Sequence, residues 1–242
     1  MTVGHVFSGA RIERDALRSD AVKELLDTLE AWRRDGARVG RAIVIRTYGS
    51  APRPAGAVLL YATDGRLAGS VSGGCVEGAA AEEIAGAIKT GRSRVVRYGI
   101  TDEQAWNVGL ACGGTIDVLV EPDVPAEAVE AAQSDGGVAV VTELPTEPTP
   151  GLLPPRLVVR DGGRLDGTTS DAATDAVIVA AAREALLRGT SRVVEAGGRD
   201  FFIEAYPVRP RLVIVGAVEI ARSLVRLARE LGFATVVVDG RP

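Results

Sequence analysis

An α/β fold is the class this sequence predicts, with a larger N-terminal α/β domain followed by an incomplete Rossmann-like βαβ unit. Three observations predict it. Apolar residues make up 46% of the 242-residue chain but aromatics only 4%, so its cores are built from small aliphatic side chains around glycine-rich turns. Short apolar, β-branched runs alternate with longer segments of helical spacing. Residues 211–239 pass from an apolar run through Gly216 and an Ala- and Leu-rich stretch to a second apolar run, which is the order of one βαβ unit.

Along the chain, residues 1–18 form an N-terminal tail. From Ser19, the spacing of Val22, Leu25, Leu26, Leu29 and Trp32 predicts an amphipathic helix that stops at Gly36. Strands follow at Ala42–Ile45 and Val58–Tyr61, with an Asp64-Gly65 turn and a short return through Leu67. Between them, Gly49-Ser50-Ala51-Pro52-Arg53-Pro54 is a stiff loop. After Gly73-Gly74-Cys75 the chain reads as a helix from Val76 to Ile88, closed by Gly91. Val95-Val96 is a short strand, Thr101–Gln104 resembles a capping box, and Ile116–Val120 is an apolar strand ended by Pro122.

A helix from Pro125 and a strand at Val138–Val141 lead into a Pro-rich connection, 145–155. Beyond it come a strand near Val158, a helix through Val177–Leu187, and a hairpin of Val193-Val194 with Phe201–Glu204 across Gly197-Gly198. Residues 19–206 are thus one domain and 207–242 the partial βαβ segment, with strands Leu212–Val215 and Thr235–Val238. No internal repeat is evident.

A net charge of −4, from 28 basic and 32 acidic residues, with no basic stripe, argues against nucleic acid as a partner. Charged residues punctuate the chain too often for a membrane span, and the N-terminus has no secretory pattern, so a cytoplasmic location is expected. There Cys75 and Cys112 are thiols rather than a disulfide. His5 is the single histidine, which excludes Ser-His-Asp, Cys-His and multi-histidine zinc chemistry.

The strongest chemical signal is a pair of glycine-flanked cysteines, Ser72-Gly73-Gly74-Cys75-Val76-Glu77 and Cys112-Gly113-Gly114-Thr115. Two readings stand for each. The cysteine is a small buried hydrophobe beside a turn, or the glycines let backbone N–H groups converge on an anion while a helix start depresses the thiol pKa. Arg46 and Arg53 flank the proline loop and suit phosphate or pterin oxygens; the alternative for Arg53 is a solvated side chain on a rigid turn. Glu77 and Glu121 are candidate pocket carboxylates by position; the alternative for each, and the commoner one, is a cap or an ion pair on the surface, and neither is assigned a catalytic role.

Ala51-Pro52-Arg53-Pro54-Ala55-Gly56-Ala57, the stretch Gly65 to Glu77, and Trp106 to Pro122 resemble the XdhC/CoxI family of molybdenum enzyme maturation factors over residues 20–122. Glu204 to Asp239 resembles the same family's lead into a Rossmann-like segment. The resemblance implies an accessory protein rather than an enzyme. Such a chaperone binds molybdenum cofactor (molybdopterin), supports its sulfuration by a cysteine desulfurase, and delivers it to an apo-hydroxylase of the xanthine or carbon monoxide dehydrogenase type. It implies Arg46, Arg53, Ser72, Gly73, Gly74, Cys75, Cys112, Gly113 and Gly114 as cofactor-binding residues, with Cys75 and Cys112 as contacts to molybdenum or sulfur.

The dinucleotide pattern is broken at Val218, where a glycine is needed, and at Glu219, where the family usually has histidine, so NAD(P) is not the expected ligand. Asp239 stands where a ribose-binding acid would stand, and also at an ordinary Asp-Gly turn. An NAD(P)-binding oxidoreductase and a degenerate structural adaptor of the same enzyme system are the alternatives. A two-stranded parallel sheet with open edges suggests a homodimer.

Overall fold

A computed structural model describes the backbone of residues 18–99, 113–145, 156–160, 162 and 164–240, and side chains from Leu25 onward. Cys112, Thr101–Gln104 and nearly all of the Pro-rich connection lie outside the described residues. Ala21–Val208 form one compact unit, and Arg209–Pro242 belong to a second.

Helix α1 (Arg18–Arg34) leads into β1 (Val39–Tyr48), β2 (Val58–Ala62), β3 (Leu67–Gly69), α2 (Glu77–Thr90), β4 (Arg94–Tyr98) and β5 (Thr115–Glu121). These five strands form an antiparallel sheet in the order β3-β2-β1-β5-β4. After α3 (Ala126–Gln133), the strands β6 (Val138–Glu143), β7 (Arg156–Arg160) and β8 (Leu165–Asp166) precede α4 (Ala172–Arg188), β9 (Arg192–Ala196) and β10 (Arg199–Tyr206). The second sheet has the order β8-β7-β6-β10-β9.

The two orders are the same, with one helix inserted between the third and fourth strands of each half. The expectation of no internal repeat is therefore corrected at the level of topology. Its physical reason is that the halves share strand order and loop positions while most of their side chains differ, so apolar periodicity alone does not register the repeat.

One face of the first sheet packs on α2, where Ala80, Ile84, Ala87 and Ile88 meet Ala42, Val44, Val118 and Val120. One face of the second packs on α4 through Ala139, Val141, Phe201, Ile203 and Ile178. Parts of the remaining faces meet at a seam, where Ile43, Ile45 and Leu119 contact Phe202 and Leu144, while Leu29 and Trp32 of α1 cover another part of the first sheet and Ala131 of α3 another part of the second. Each large aliphatic or aromatic side chain withdrawn there contributes about 1.5–3 kcal/mol.

The seam also holds a buried ionic cluster. The guanidinium of Arg41 donates from Nε to Glu121 Oε2 at 2.6 Å and from its two Nη atoms to the two oxygens of Glu204 at 3.0 Å each. Arg156 pairs with the other oxygen of Glu121, and the Tyr206 hydroxyl donates to Glu204. Burial opposes the charge on Arg41, and Glu121 and Glu204 outweigh it, holding its pKa above the ordinary value. Glu121, read from sequence as a pocket carboxylate, is instead part of this joint.

Helix α4 starts at Ala172 rather than near Val177, because Asp171 caps it by accepting the N–H groups of Ala173 and Thr174. The second unit is a βαβ arrangement of β11 (Arg211–Val215), α5 (Glu219–Glu230) and β12 (Ala234–Val238), with the two strands parallel.

Candidate functional site

Three motifs singled out in the sequence come together at one end of the first sheet. Strand β1 runs out at Tyr48 into the loop Gly49–Pro54, whose Gly49, Ser50, Pro52, Arg53 and Pro54 are exposed. A Cβ placed on Gly73 would lie 3.7 Å from Pro52 Cβ, and one placed on Gly114 would meet the Ser50 carbonyl oxygen at 2.3 Å. The proline loop is thus held between the Gly73-Gly74 turn and the Gly113-Gly114 turn. Gly114 is required for this approach, since any side chain would collide with backbone.

Gly73, Gly74 and Gly113 have left-handed φ values of 77°, 113° and 74°. All three are exposed, as is the free thiol of Cys75. The partner expected for it, Cys112, lies outside the described residues. Among the described residues no cluster of three or more His, Cys, Asp and Glu is placed to hold a metal ion.

The N–H groups of the first glycine turn do converge on an anion, and it is the chain's own Glu77. Its Oε1 accepts from the Ser70 hydroxyl at 2.7 Å and from the Val71 and Ser72 N–H groups, and its Oε2 accepts from the Ser72 hydroxyl at 2.6 Å and Gly74 N–H at 2.9 Å. Gly73 N–H goes to the Ser70 hydroxyl, and the Cys75 and Val76 N–H groups go to the Ser72 hydroxyl. Burial pushes the Glu77 carboxyl up, but the Ser72 and Ser70 hydroxyls and the backbone N–H groups outweigh it and bring its pKa down to about 2. The expectation that these amides are open to an external anion is corrected. Ser72 is buried and committed inside the loop, and what the turn presents outward is the Cys75 side chain.

Arg46 is engaged as well. Its guanidinium donates to Asp200 at 2.6 Å and lies 3.8 Å from Asp117. Asp117 also accepts from Arg97 Nε at 2.6 Å and from the Tyr48 hydroxyl at 3.1 Å, while Arg97 stacks over the Tyr48 ring. Burial opposes the Asp117 charge, and the Arg97, Tyr48 and Arg46 contacts outweigh it and hold its carboxyl below the ordinary range. Sequence reading does not single out Arg97, Asp117 or Asp200, and it takes Tyr48 as a loop hydroxyl open to ligand oxygens rather than as a partner of Asp117. The available signal was Asp117, a charge inside the apolar run Ile116–Val120. Arg53, by contrast, is exposed on the proline loop beside the glycine turns.

At the βαβ unit, the carboxylate of Asp239 accepts the Ala217 N–H at 2.6 Å. It is tied to the strand-to-helix loop, and Val218, at the position where close approach of a pyrophosphate needs glycine, is exposed.

Residues 32–99 match the model of the XdhC and CoxI family. Over that segment the chain is similar to the XdhC and CoxI family. Arg46, Arg53 and the Ser72–Cys75 turn lie inside the matched segment, and Gly113-Gly114 lies beyond it. The molybdenum cofactor insertion chaperone PaoD of Escherichia coli is 45% identical over 78 residues, which are 32% of this chain and 24% of that protein. A Bacillus subtilis protein, described as a probable component of a xanthine dehydrogenase, is 27% identical over 227 residues, covering 88% of this chain and 63% of its own. A crystal structure of a xanthine dehydrogenase from Bacillus halodurans superposes with a TM-score of 0.64 at 27% identity, over 92% of this chain and 63% of that one. The chain therefore spans less than two thirds of each of these relatives.

Proposed function

We propose that this chain, similar to the XdhC and CoxI family over residues 32–99, takes part in maturation of a molybdenum hydroxylase, binding molybdenum cofactor and delivering it to an apo-enzyme of the xanthine or carbon monoxide dehydrogenase type. The observation that carries the reading is the exposed Cys75 thiol on a turn fixed from within and packed beside the proline loop that bears Arg53. A soft thiol suits a thiometal centre or a transferable sulfur atom, and a guanidinium suits phosphate or pterin oxygens. The described donors fit the cofactor: Cys75 would face its metal and sulfur end and Arg53 its oxygen-rich end, with Cys112, outside the described residues, proposed as a second sulfur contact. Gly73, Gly74, Gly113 and Gly114 shape the surface between. When bound, the cofactor would supply the redox-active molybdenum centre that the recipient enzyme uses; the chain's own residues bind, orient and shield it. A cysteine desulfurase is the partner that would provide the sulfido ligand, and a cytoplasmic setting suits both partners.

The test is to co-produce the chain with an intact molybdopterin pathway and measure molybdenum and oxidised pterin fluorescence per chain. Near-stoichiometric pterin in the wild type, lost in Cys75→Ala or Cys112→Ala, is expected. Wild-type protein that is folded and free of pterin would overturn the carrier reading. Under the NAD(P) reading, the βαβ unit would bind nucleotide in calorimetry. The engaged Asp239 and the exposed Val218 weigh against that.

A further inference from the structure

The two sheets share more than strand order. Gly65-Arg66-Leu67-Ala68-Gly69-Ser70-Val71-Ser72 aligns without a gap to Gly163-Arg164-Leu165-Asp166-Gly167-Thr168-Thr169-Ser170. At the same spacing, Gly91-Arg92-Ser93-Arg94-Val95-Val96 aligns to Gly189-Thr190-Ser191-Arg192-Val193-Val194, on the far side of α2 and α4. Register agrees: Arg94 pairs with Val120 in one sheet and Arg192 with Ile203 in the other. Glu121 and Glu204 therefore fall at equivalent positions, as do Asp117 and Asp200. Each of these carboxylate pairs is bridged by one arginine of β1, Arg41 for the first and Arg46 for the second.

Within that alignment Glu77 falls on Asp175, and the two carboxylates do the same work. Asp175 accepts from the Thr168 and Thr169 hydroxyls and from Thr169 N–H, as Glu77 accepts from the Ser70 and Ser72 hydroxyls and from Val71 N–H. Gly69 and Gly167, which open the two loops, both have left-handed φ, 83° and 97°. The second copy has Asp171-Ala172-Ala173 where the first has Gly73-Gly74-Cys75. The fold thus requires a carboxylate latch across the strand-to-helix loop in both halves, while the glycines and the thiol occur in one.

We infer that the region from β1 to β10 is a tandem duplication of one βββαββ unit, in which Glu77 is a positioning residue that fixes the Gly73-Gly74-Cys75 turn and the second copy's Asp175 is the same latch without a ligand. This rests on the reading of Cys75 as a contact to cofactor or sulfur. Serine, glutamate and their threonine and aspartate counterparts are scaffold; Gly73, Gly74 and Cys75 are what converts one copy into a site. A latched turn holds the thiol in one direction and keeps its backbone from rearranging when a ligand leaves.

The second copy is an internal control for the test. Glu77→Gln and Asp175→Asn are compared in the full chain by amide hydrogen exchange, by thermal unfolding, and by the rate of maleimide alkylation at Cys75, read from its own peptide. Both variants should lower Tm and speed exchange of the local loop, Val71–Gly74 in one and Thr169 in the other. Only Glu77→Gln should alter Cys75 alkylation, by several-fold, and only it should lower pterin per chain. Ser70→Ala, a milder lesion of the same latch, should move all readouts in the same direction as Glu77→Gln. Equal effects of Glu77→Gln and Asp175→Asn on Cys75 alkylation, or unchanged exchange at Val71–Gly74 in Glu77→Gln, would overturn the assignment. Absence of pterin from the wild type would sink the carrier function alone, because exchange and alkylation are measured without cofactor.

Discussion

Glu77 stays ionised to far lower pH than an ordinary glutamate, because two hydroxyls and several backbone N–H groups point at it. Its pKa of about 2 lies below the reference value of 4.5. A depressed carboxyl contributes stability that is complete above about pH 4.5 and disappears as pH falls toward 2. Acid titration of unfolding should therefore show a steeper loss between those limits in the wild type than in Glu77→Gln, which is already the less stable protein at neutral pH. Superimposable acid limbs would mean that the latch does not hold a charged carboxylate. The glycine turns give a second residue-scale contrast. Gly114→Ala puts a methyl 2.3 Å from the Ser50 carbonyl oxygen, and the backbone shift it forces should cost about 1–3 kcal/mol. Gly113→Ala meets nothing within 4 Å and should cost about 1 kcal/mol, from its left-handed φ alone. Urea denaturation of the two variants checks the order; a larger loss for Gly113→Ala would contradict the contact.

Elements are legible in the sequence where apolar alternation is long, and illegible where partners are distant. Strands β1, β2, β5, β6 and β10 each carry a run of Val, Ile, Leu or Phe that reads as strand without help. Strand β8 is two residues long, too short for any periodicity, and α4 begins earlier than its apolar pattern because an Asp171 cap, not burial, sets its start. The site is legible as motifs but not as contacts. Glycine-flanked Cys75 stands out in sequence, whereas Glu77, the occupant of its amides, reads there as a pocket carboxylate or an ordinary cap or surface pair, with nothing to name its partners. At the βαβ element the prediction is negative binding: Asp239 is bound to Ala217 N–H, and Glu219 adds a negative charge to the first turn of α5 where a pyrophosphate needs a positive end. Calorimetric titration with NADH or NADPH should give no saturable heat. A saturating isotherm would show that Asp239 releases the loop and would revive the nucleotide reading.

At the scale of the whole β1 to β10 region, the question is whether two like halves behave as two folding units or one. The seam decides it. Arg41 sits on β1 of the first half yet makes two hydrogen bonds to Glu204, 163 residues away in sequence, while its third goes to Glu121. No sequence pattern announces such a pairing: an arginine in a strand reads as an edge position, and its second partner lies in the other copy. Among the described residues, taking Arg41 away leaves Glu121 with Arg156 and Glu204 with the Tyr206 hydroxyl, in a layer otherwise lined by Ile43, Leu119 and Phe202. Breaking a buried ion cluster by removing one partner costs about 3–5 kcal/mol, because a charge is left uncompensated. Arg41→Met should therefore lower stability by that amount, and native-state hydrogen exchange should locate the loss in both halves at once. Amides of β5 and β10 should lose protection equally, although only one of them belongs to the mutated copy. Protection lost in β5 alone would mean that the halves open independently and that the seam is a contact between finished domains; equal loss makes the seam the core they share.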